Sequence, residues 1–185
     1  MIIGVIGTNG AGKDEVANFL KGKGFAYYSC SDIIREECEY LKIPKDRDNL
    51  IRAGNELRKK FGNGVLAKKI LEKIKKNNIK NAVIVSIRNP SELQEVKKQG
   101  GFMISVDAPI SVRYERITKR KREGDSVSFE KFKGQEEGEM RSHDNSSQQL
   151  RMCLDLADYK IINDSTILAL HKKIADILKE RKFKV

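Results

Sequence analysis

The chain is poor in tryptophan, proline and cysteine, and these shortages exclude several classes of protein. Its 185 residues include no tryptophan, three prolines and three cysteines. Because Cys30, Cys38 and Cys153 are odd in number and widely spaced, we predict neither a disulfide framework nor a zinc cluster. No apolar run approaches the roughly 20 residues that cross a bilayer, and residues 1–6 are too short for a signal sequence. We therefore expect a cytoplasmic protein without membrane contact.

Aromatic residues are also scarce, whereas positive charge is in excess. The sequence has 37 Lys and Arg residues against 26 Asp and Glu residues, a net charge of +11, and only 6% of its residues are aromatic. Such a charge suits nucleic acid or a substrate that carries several phosphates. Nucleic-acid binding usually adds interleaved aromatic side chains, so we do not expect it, although the charge leaves it open. Nothing in the sequence indicates an oligomeric state.

Alternating apolar and helical patterns predict the fold class. Five short apolar runs predict strands, at Ile2–Ile6, Phe25–Ser29, Ala82–Ser86, Phe102–Val106 and Tyr159–Ile162. Helical spacing predicts helices at Lys13–Lys21, Ser31–Leu41, Asn49–Phe61, Val65–Lys75, Ser91–Lys98, Ile110–Arg122 and Ile167–Lys179, the last opened by Asp164 and Ser165 as caps. This alternation predicts one α/β domain over residues 1–185, with a five-stranded parallel sheet covered by helices on both faces.

Two long segments interrupt the alternation. Residues 31–78, after the second strand, are helical throughout, and residues 119–156, after the fourth strand, are polar and charged. In an open α/β sheet the ligand lies beyond the carboxyl ends of the strands. Both segments follow such ends, so we expect both to close over a ligand.

The first strand leads into a glycine-rich loop that indicates a chemistry. The loop consists of Gly7, Thr8, Asn9, Gly10, Ala11, Gly12, Lys13 and Asp14, and a helical pattern follows it. A strand, a glycine-rich loop and a helix together predict a P-loop, in which backbone N–H groups surround the phosphates and Lys13 reaches the β- and γ-phosphates. The sequence therefore predicts ATP as a ligand. Asp14 stands where the motif has a Ser or Thr that ligates Mg²⁺, and its carboxylate is itself a good Mg²⁺ ligand.

Arginines are the other group suited to phosphate. Arg35 and Arg88 follow the second and third strands, and Arg113, Arg116 and Arg120 are spaced by three and four residues on one predicted helix face. A phosphoryl-transfer site needs such groups, because placed positive charge stabilises its transition state.

These motifs resemble those of the P-loop nucleoside monophosphate kinases. Residues Ser31-Asp32-Ile33-Ile34-Arg35 resemble the family's Gly-Asp-Leu-Leu-Arg, and Arg88 stands where the family's Asp-Gly-Phe-Pro-Arg has its arginine. Residues Arg116-Ile117-Thr118-Lys119-Arg120 resemble the Arg-Ile-Xaa-Gly-Arg of the lid. The segment from Ala157 to Asn163 resembles Ala-Asp-Xaa-Xaa-Ile-Xaa-Asn of dephospho-CoA kinases, and the Gly-Lys-Asp of the loop resembles phage deoxynucleoside monophosphate kinases.

The resemblance implies a role for each matching residue. Arg35 and Arg88 would hold the phosphate of the acceptor, Arg116 and Arg120 the phosphates of ATP, and Asn163 would lie near the base of ATP. Residues 31–78 would bind the acceptor, and residues 119–156 would form a lid. Val85 stands where relatives have an acidic metal ligand, so Asp32 or Asp107 would replace it, and we predict a Mg²⁺ site at Asp14 and Asp32.

The implied activity is ATP-dependent phosphoryl transfer to a nucleoside or deoxynucleoside monophosphate, a small phosphorylated acceptor. Two alternatives remain open. One is dephospho-CoA kinase, whose hydroxyl acceptor needs a base, for which Asp32 is the candidate. The other is a nucleotide-binding regulatory or nucleic-acid-associated NTPase, which the charge of +11 and the absence of an acid at Val85 favour.

Further polar residues of the two segments are interpreted as solvated surface. Asn55, Glu56 and Arg58 of the first segment are assigned to an exposed helix face rather than to contact with the acceptor. The two histidines, His143 and His171, are assigned no role, because no metal ligands lie near them in the sequence.

Overall fold

A computed structural model of the chain describes residues 1–120, 127–140 and 149–183. Its centre is a sheet of five parallel strands, β1 (Ile2–Gly7), β2 (Ala26–Ser29), β3 (Ala82–Val85), β4 (Phe102–Asp107) and β5 (Tyr159–Ile162). The strands lie in the order β2-β3-β1-β4-β5. The central position of β1 places the glycine-rich loop in the middle of the carboxyl edge, between the ends of β3 and β4.

Helices connect the strands and cover both faces of the sheet. In the described ranges they are α1 (Lys13–Gly22), α2 (Cys30–Tyr40), α3 (Arg47–Phe61), α4 (Val65–Lys76), α5 (Pro90–Lys98), α6 (Ile110–Arg120), α7 (Phe129–Met140), α8 (Leu150–Asp155) and α9 (Ile167–Glu180). None of the described helices is long and apolar enough to cross a membrane.

Two hydrophobic layers join the helices to the sheet. On one face, Leu20 of α1 and Ile174 of α9 pack against Val5 and Ile104. On the other, Ile70 of α4 and other apolar residues of α2, α3, α5 and α8 pack against the opposite sides of the strands. Because each buried Leu or Ile contributes about 1.5–3 kcal/mol, these two layers fix the carboxyl edge on which the loop stands.

The predicted α/β fold with five parallel strands is confirmed, and it differs from the prediction at some element boundaries and in two further helices. Strand β3 ends at Val85, one residue early, because Ser86 adopts a left-handed conformation with φ 62°. The cap of α9 is Thr166, whose hydroxyl accepts from Ala169 N, so the prediction of Asp164 and Ser165 as caps is wrong. The sequence patterns did not reveal α7 and α8. Arg122 and His143 lie outside the described residues.

Candidate nucleotide-binding site

The backbone of the loop takes a shape that requires glycine at two positions. Gly10 and Gly12 have φ values of 79° and 101°, in the left-handed region that glycine adopts without strain. A Cβ at Gly10 would lie 2.6 Å from the carbonyl oxygen of Arg113, and one at Gly12 would lie 2.4 Å from Asn163 Nδ2. Gly12 is also the N-cap of α1, and no side chain caps that helix. Such a helix start suits the binding of an anion.

Neighbouring elements hold the loop through its side chains and carbonyl groups. Thr8 is fully buried, and its hydroxyl donates to Asp107 Oδ1 at 2.7 Å. The amide of Asn163 donates to the carbonyl of Ala11 at 2.8 Å. Lys13 Nζ donates to the carbonyl of Thr8 at 2.6 Å, so the lysine lies folded over the loop. The ends of β4 and β5 thus fix the loop. Asn163 contacts the loop itself, and its contact with the base of ATP stays a prediction.

A pocket of about 230 Å³ lies at the start of α1. Its lining consists of Gly10, Gly12, Lys13, Asp14, Glu15, Asn18, Arg116 and Arg120. Three cationic side chains from two separate parts of the sequence therefore meet over the glycine-rich loop. Arg120 also donates to the side-chain oxygen of Asn9 at 3.3 Å.

Arg116 has a buried donor that lacks a partner. Its Nη2 donates to the carbonyl of Asn163 at 3.0 Å, whereas its Nη1 is buried without a hydrogen-bond partner among the described residues. An unsatisfied buried donor costs about 1–3 kcal/mol, and more when it is charged. Together with Lys13 in the same pocket, this guanidinium group fits an anion.

The two carboxylates predicted to bind Mg²⁺ are Asp14, which lines the pocket, and Asp32, which pairs with Arg35 on α2. Burial raises the pKa of Tyr27, and the negative charges of Asp32 and Asp14 raise it further. In the described part of the chain, no group of three or more His, Cys, Asp or Glu residues could hold a metal ion. Asp14 beside the pocket fits Mg²⁺, which usually binds one or two carboxylates together with substrate phosphates and water, and the part of Asp32 in the metal site stays a prediction.

The other candidates for an acidic ligand have different surroundings. Val85 is buried in the hydrophobic core, between Ser29 of β2 and Val5 of β1, and offers no ligand. Asp107 Oδ1 accepts from Thr8 and from the backbone N–H of Ala108 and lies 3.5 Å from Arg113 Nε. Asp107 therefore supports the loop, and the acid that would replace the missing metal ligand stays a prediction.

The two arginines predicted for the acceptor lie outside the pocket at α1. Arg35 Nη1 donates to Asp32 Oδ1 at 3.3 Å, and both side chains are about half exposed. Arg88 lies in the connection between β3 and α5, where its backbone N–H donates to Glu92 and its carbonyl accepts from Gln149 N. Neither Arg35 nor Arg88 is among the described residues that line the pocket, so their role remains a prediction.

Arg113 differs from the two arginines that share its predicted helix face. It is only 5% exposed, and it donates to the carbonyls of Ala108 and Asn9 and forms an ion pair with Glu136 of α7. Arg113 thus joins the loop, the end of β4 and α7. The spacing of three and four did not reveal that this arginine points to the interior, as Ile117 one turn later does.

The interpretation of Arg58 as an exposed residue is wrong. Arg58 is 2% exposed and pairs with the fully buried Glu92 of α5. Arg58 lies one turn after Gly54 and next to Leu57 in the sequence. These small and apolar residues, which are both buried, were the available signal that this face of α3 points to the interior. His171 was also missed: its Nε2 lies 2.7 Å from Glu15 Oε1, beside the pocket.

Known proteins are similar to this chain over nearly its whole length. The AAA domain family matches residues 3–145. A UPF0200 protein from Sulfurisphaera tokodaii is 35% identical over 179 residues, which cover 96% of both proteins. A UPF0200 protein from Pyrococcus abyssi is 31% identical over 186 residues, which cover 97% of this chain and 96% of that protein.

Solved structures share the fold at low sequence identity. The crystal structure of TT1252 from Thermus thermophilus has a TM-score of 0.64 and 18% identity, and 97% of each chain is covered. Shikimate kinase from Aquifex aeolicus has a TM-score of 0.55 and 19% identity over the full length of both chains. Dephospho-CoA kinase from Campylobacter jejuni has a TM-score of 0.51 and 19% identity, covering 97% of this chain and 96% of that one. The P-loop kinase fold predicted from the sequence is thus confirmed.

Proposed function

We propose a function for this chain, which belongs to the UPF0200 family and contains an AAA domain. It transfers the γ-phosphoryl group of ATP to the phosphate of a nucleoside or deoxynucleoside monophosphate. In this reaction the bond between the γ-phosphorus and the bridging oxygen breaks, ADP leaves, and an oxygen of the acceptor phosphate forms the new bond.

The pocket at α1 supports the donor half of this proposal. The loop N–H groups and Lys13 hold the β- and γ-phosphates, and Arg116 and Arg120 neutralise the charge that shifts toward ADP. The observation that carries the proposal is the buried, unpaired Nη1 of Arg116 in a pocket that also contains Lys13. A phosphate oxygen would supply the missing acceptor.

The acceptor half rests on Arg35 and Arg88. Arginine binds phosphate through two parallel N–H donors, so these residues place the acceptor phosphate in line with the γ-phosphorus. No side chain has to remove a proton, because a phosphate acceptor is already an anion.

Asp14 and Asp32 are the residues that would hold Mg²⁺. The ion would neutralise phosphate charge beside Lys13. Replacing Asp14 by Ala should raise the Mg²⁺ concentration that gives half the maximal rate, whereas Asp176→Ala on α9 should leave it unchanged. An unchanged Mg²⁺ requirement in Asp14→Ala would remove Asp14 from the metal site.

A substrate panel tests the proposal. ADP release from ATP is measured with each ribo- and deoxynucleoside monophosphate, with dephospho-CoA, and with DNA or RNA. We expect stimulation by one or a few monophosphates, and its loss in Lys13→Met but not in Lys98→Met, which changes an exposed lysine of α5. Stimulation only by nucleic acid would contradict the kinase proposal and support the NTPase alternative.

Dephospho-CoA kinase is the second candidate, because the exposed carboxylate of Asp32 could serve as a base for a hydroxyl acceptor. The Asp32→Asn variant separates the two activities. A hydroxyl acceptor predicts a loss of kcat of about 100-fold or more together with a changed pH–rate profile, whereas a phosphate acceptor predicts a smaller loss without a change in the profile.

A further inference from the structure

A buried ion pair connects α3 to the segment that follows β3. Arg58 Nε and Nη2 both lie 2.9 Å from Glu92 Oε1, and the two residues are 2% and 0% exposed. Arg58 Nη1 also donates to Asn55 Oδ1 at 3.3 Å. Gly54 lies one turn earlier on α3, where a Cβ would be 3.5 Å from Arg58 Nη1. The guanidinium group is therefore enclosed and aimed at a single carboxylate oxygen.

The second oxygen of that carboxylate holds the backbone at Arg88. Glu92 Oε2 accepts from Arg88 N at 3.0 Å and from Asn89 N at 3.2 Å. The carbonyl of Arg88 accepts from Gln149 N at 2.8 Å, just before α8. Both backbone polar groups of Arg88 are thus fixed, one through Arg58 and Glu92 and the other through the segment that leads into α8.

Stability alone does not account for this pair. Removing two charges from water costs several kcal/mol per ion, and replacing a buried ion pair by apolar residues of similar volume is often neutral or stabilising. What an apolar pair cannot do is accept the N–H groups of Arg88 and Asn89. The bond to Asn89 N completes the capping box of α5, and the bond to Arg88 N lies outside that motif, so the distinctive contribution of Glu92 is to the geometry of the backbone at Arg88.

We propose that Arg58 and Glu92 are positioning residues that fix Arg88 for the phosphate of the acceptor. Arg58 orients the carboxylate of Glu92, and Glu92 fixes the backbone from which the Arg88 side chain extends. Neither residue contacts the reacting atoms. This inference rests on the proposed function, since Arg88 binds the acceptor phosphate only in that proposal, and it explains how the acceptor-binding segment acts on a residue outside it.

Two double variants test the proposal without leaving an unpaired buried charge. Arg58→Met/Glu92→Leu removes both charges and the bonds to the Arg88 backbone, so the KM for the acceptor should rise about tenfold, as expected for a misplaced binding group. The KM for ATP should stay within twofold. Arg58→Met/Glu92→Gln keeps an amide oxygen for Arg88 N, so its acceptor KM should lie between that of the wild type and that of the first variant. It also keeps the test available if the first variant does not fold.

A control pair lies on the same helix as Glu92. Lys97 of α5 pairs with Asp158, whose other oxygen accepts from Met103 N, and neither residue bonds to Arg88. The variant Lys97→Met/Asp158→Asn removes this ion pair, and its acceptor KM should not change. An equal rise of the acceptor KM in this control would show a general effect on α5 and would overturn the proposal.

Adding Arg88→Met separates positioning from a purely structural role. If Arg58 and Glu92 act through Arg88, the acceptor KM of Arg88→Met and that of Arg58→Met/Glu92→Leu/Arg88→Met should agree within about twofold, because effects that pass through one residue do not add. Multiplied effects, or an unchanged acceptor KM in Arg58→Met/Glu92→Leu, would overturn the proposal.

Failure of the proposed function would look different. A wild-type protein that phosphorylates no monophosphate contradicts that function alone. The same variants are then titrated with inorganic phosphate at saturating ADP. Equal losses of phosphate affinity in Arg88→Met and Arg58→Met/Glu92→Leu would support the positioning role, and a loss in Arg88→Met alone would overturn it.

Discussion

Two regions of the molecule contain a buried arginine–glutamate pair, and the two pairs hold loops in opposite ways. At the glycine-rich loop, the arginine of the pair bonds to the backbone. Arg113 donates to the carbonyls of Asn9 and Ala108 while it pairs with Glu136. After β3, the glutamate of the pair bonds to the backbone. Glu92 accepts from the N–H groups of Arg88 and Asn89 while it pairs with Arg58.

The arginines of the chain differ in their burial. Arg58 and Arg113 are buried, whereas Arg35 and Arg120 are exposed. A buried guanidinium group with several protein partners has few N–H donors left for phosphate. In this chain, Arg58 and Arg113 therefore shape the two loops, whereas Arg120 lines the pocket at α1 and Arg35 pairs with Asp32 on the surface of α2.

The largest expected effect comes from breaking the pair at the glycine-rich loop on one side only. Arg113→Met leaves Glu136 as an unpaired buried charge, which should cost about 3–5 kcal/mol of unfolding free energy. Urea unfolding measures it. Lys98→Met, which removes an exposed pair with Glu95, is the control and should cost far less. Equal losses of unfolding free energy in the two variants would show that a buried ion pair costs no more to break here than an exposed one.

Removing the arginine with the unpaired donor should affect catalysis rather than folding. Arg116→Met should lower kcat/KM for ATP about 100-fold, or about 2.7 kcal/mol of transition-state stabilisation. Its stability should change little, because the variant loses the bond of Nη2 to the carbonyl of Asn163 but also removes an unsatisfied buried donor. Arg120→Met removes an exposed arginine of the same pocket and should lose less activity. A larger loss in Arg120→Met would assign the transition-state role to the exposed arginine instead.

Removing both partners at the glycine-rich loop should raise the KM for ATP rather than the KM for the acceptor, the opposite of what we expect for the Arg58–Glu92 variants. Arg113→Met/Glu136→Leu leaves no unpaired charge but releases the carbonyls of Asn9 and Ala108. The KM for ATP should rise about tenfold, and the acceptor KM should change by less than twofold. Steady-state kinetics with each substrate varied in turn measure both values. If both KM values rise together, the two pairs do not act on separate loops.

The smallest effect is expected for the ion pair between Lys97 and Asp158, whose side chains are each 30% exposed. Comparison with the pair at Arg113 shows how much burial adds to the cost of breaking an ion pair. Burial alone would raise the pKa of Asp158, but hydrogen bonds from Lys97 and from Met103 N lower it below its usual value. A lowered pKa in the folded state stabilises the protein above the unfolded pKa of about 3.9, and this contribution is lost as the pH falls below that value.

Lys97→Met tests this expectation. It should cost no more than about 1 kcal/mol at pH 7, and the difference from the wild type should shrink as the pH falls below about 3.9. Urea unfolding at several pH values measures it. A difference that grows in acid would contradict the sign of the pKa shift.

The sequence predicted the sheet and the loop because their signals are local. Apolar runs such as Ala82–Val85 and the residues of the glycine-rich loop each specify their conformation within a few positions. The roles of Arg58 and Arg113 depend on Glu92 and Glu136, which are 34 and 23 residues away in the sequence. A helical period shows which residues share a face but not which neighbour covers that face, so these pairs could not be read from spacing alone.

Helices α7 and α8 escaped prediction for a related reason. Phe129–Met140 has few apolar residues and several charges, and the helix is held through Phe132 and Glu136, whose partners lie on α6. Contacts with another element, rather than an apolar stripe, define its position. The environment of Arg116 also depends on another element. Its Nη2 bonds to Asn163, which follows β5, and its Nη1 is left without a partner among the described residues.

The most direct test of phosphoryl transfer follows the γ-phosphate itself. ATP labelled at the γ-position is incubated with the full chain and the best monophosphate from the substrate panel, and the products are separated by chromatography. The account predicts label in the nucleoside diphosphate made from the acceptor, and its loss in Lys13→Met. Label found only in inorganic phosphate, with or without nucleic acid, would contradict it.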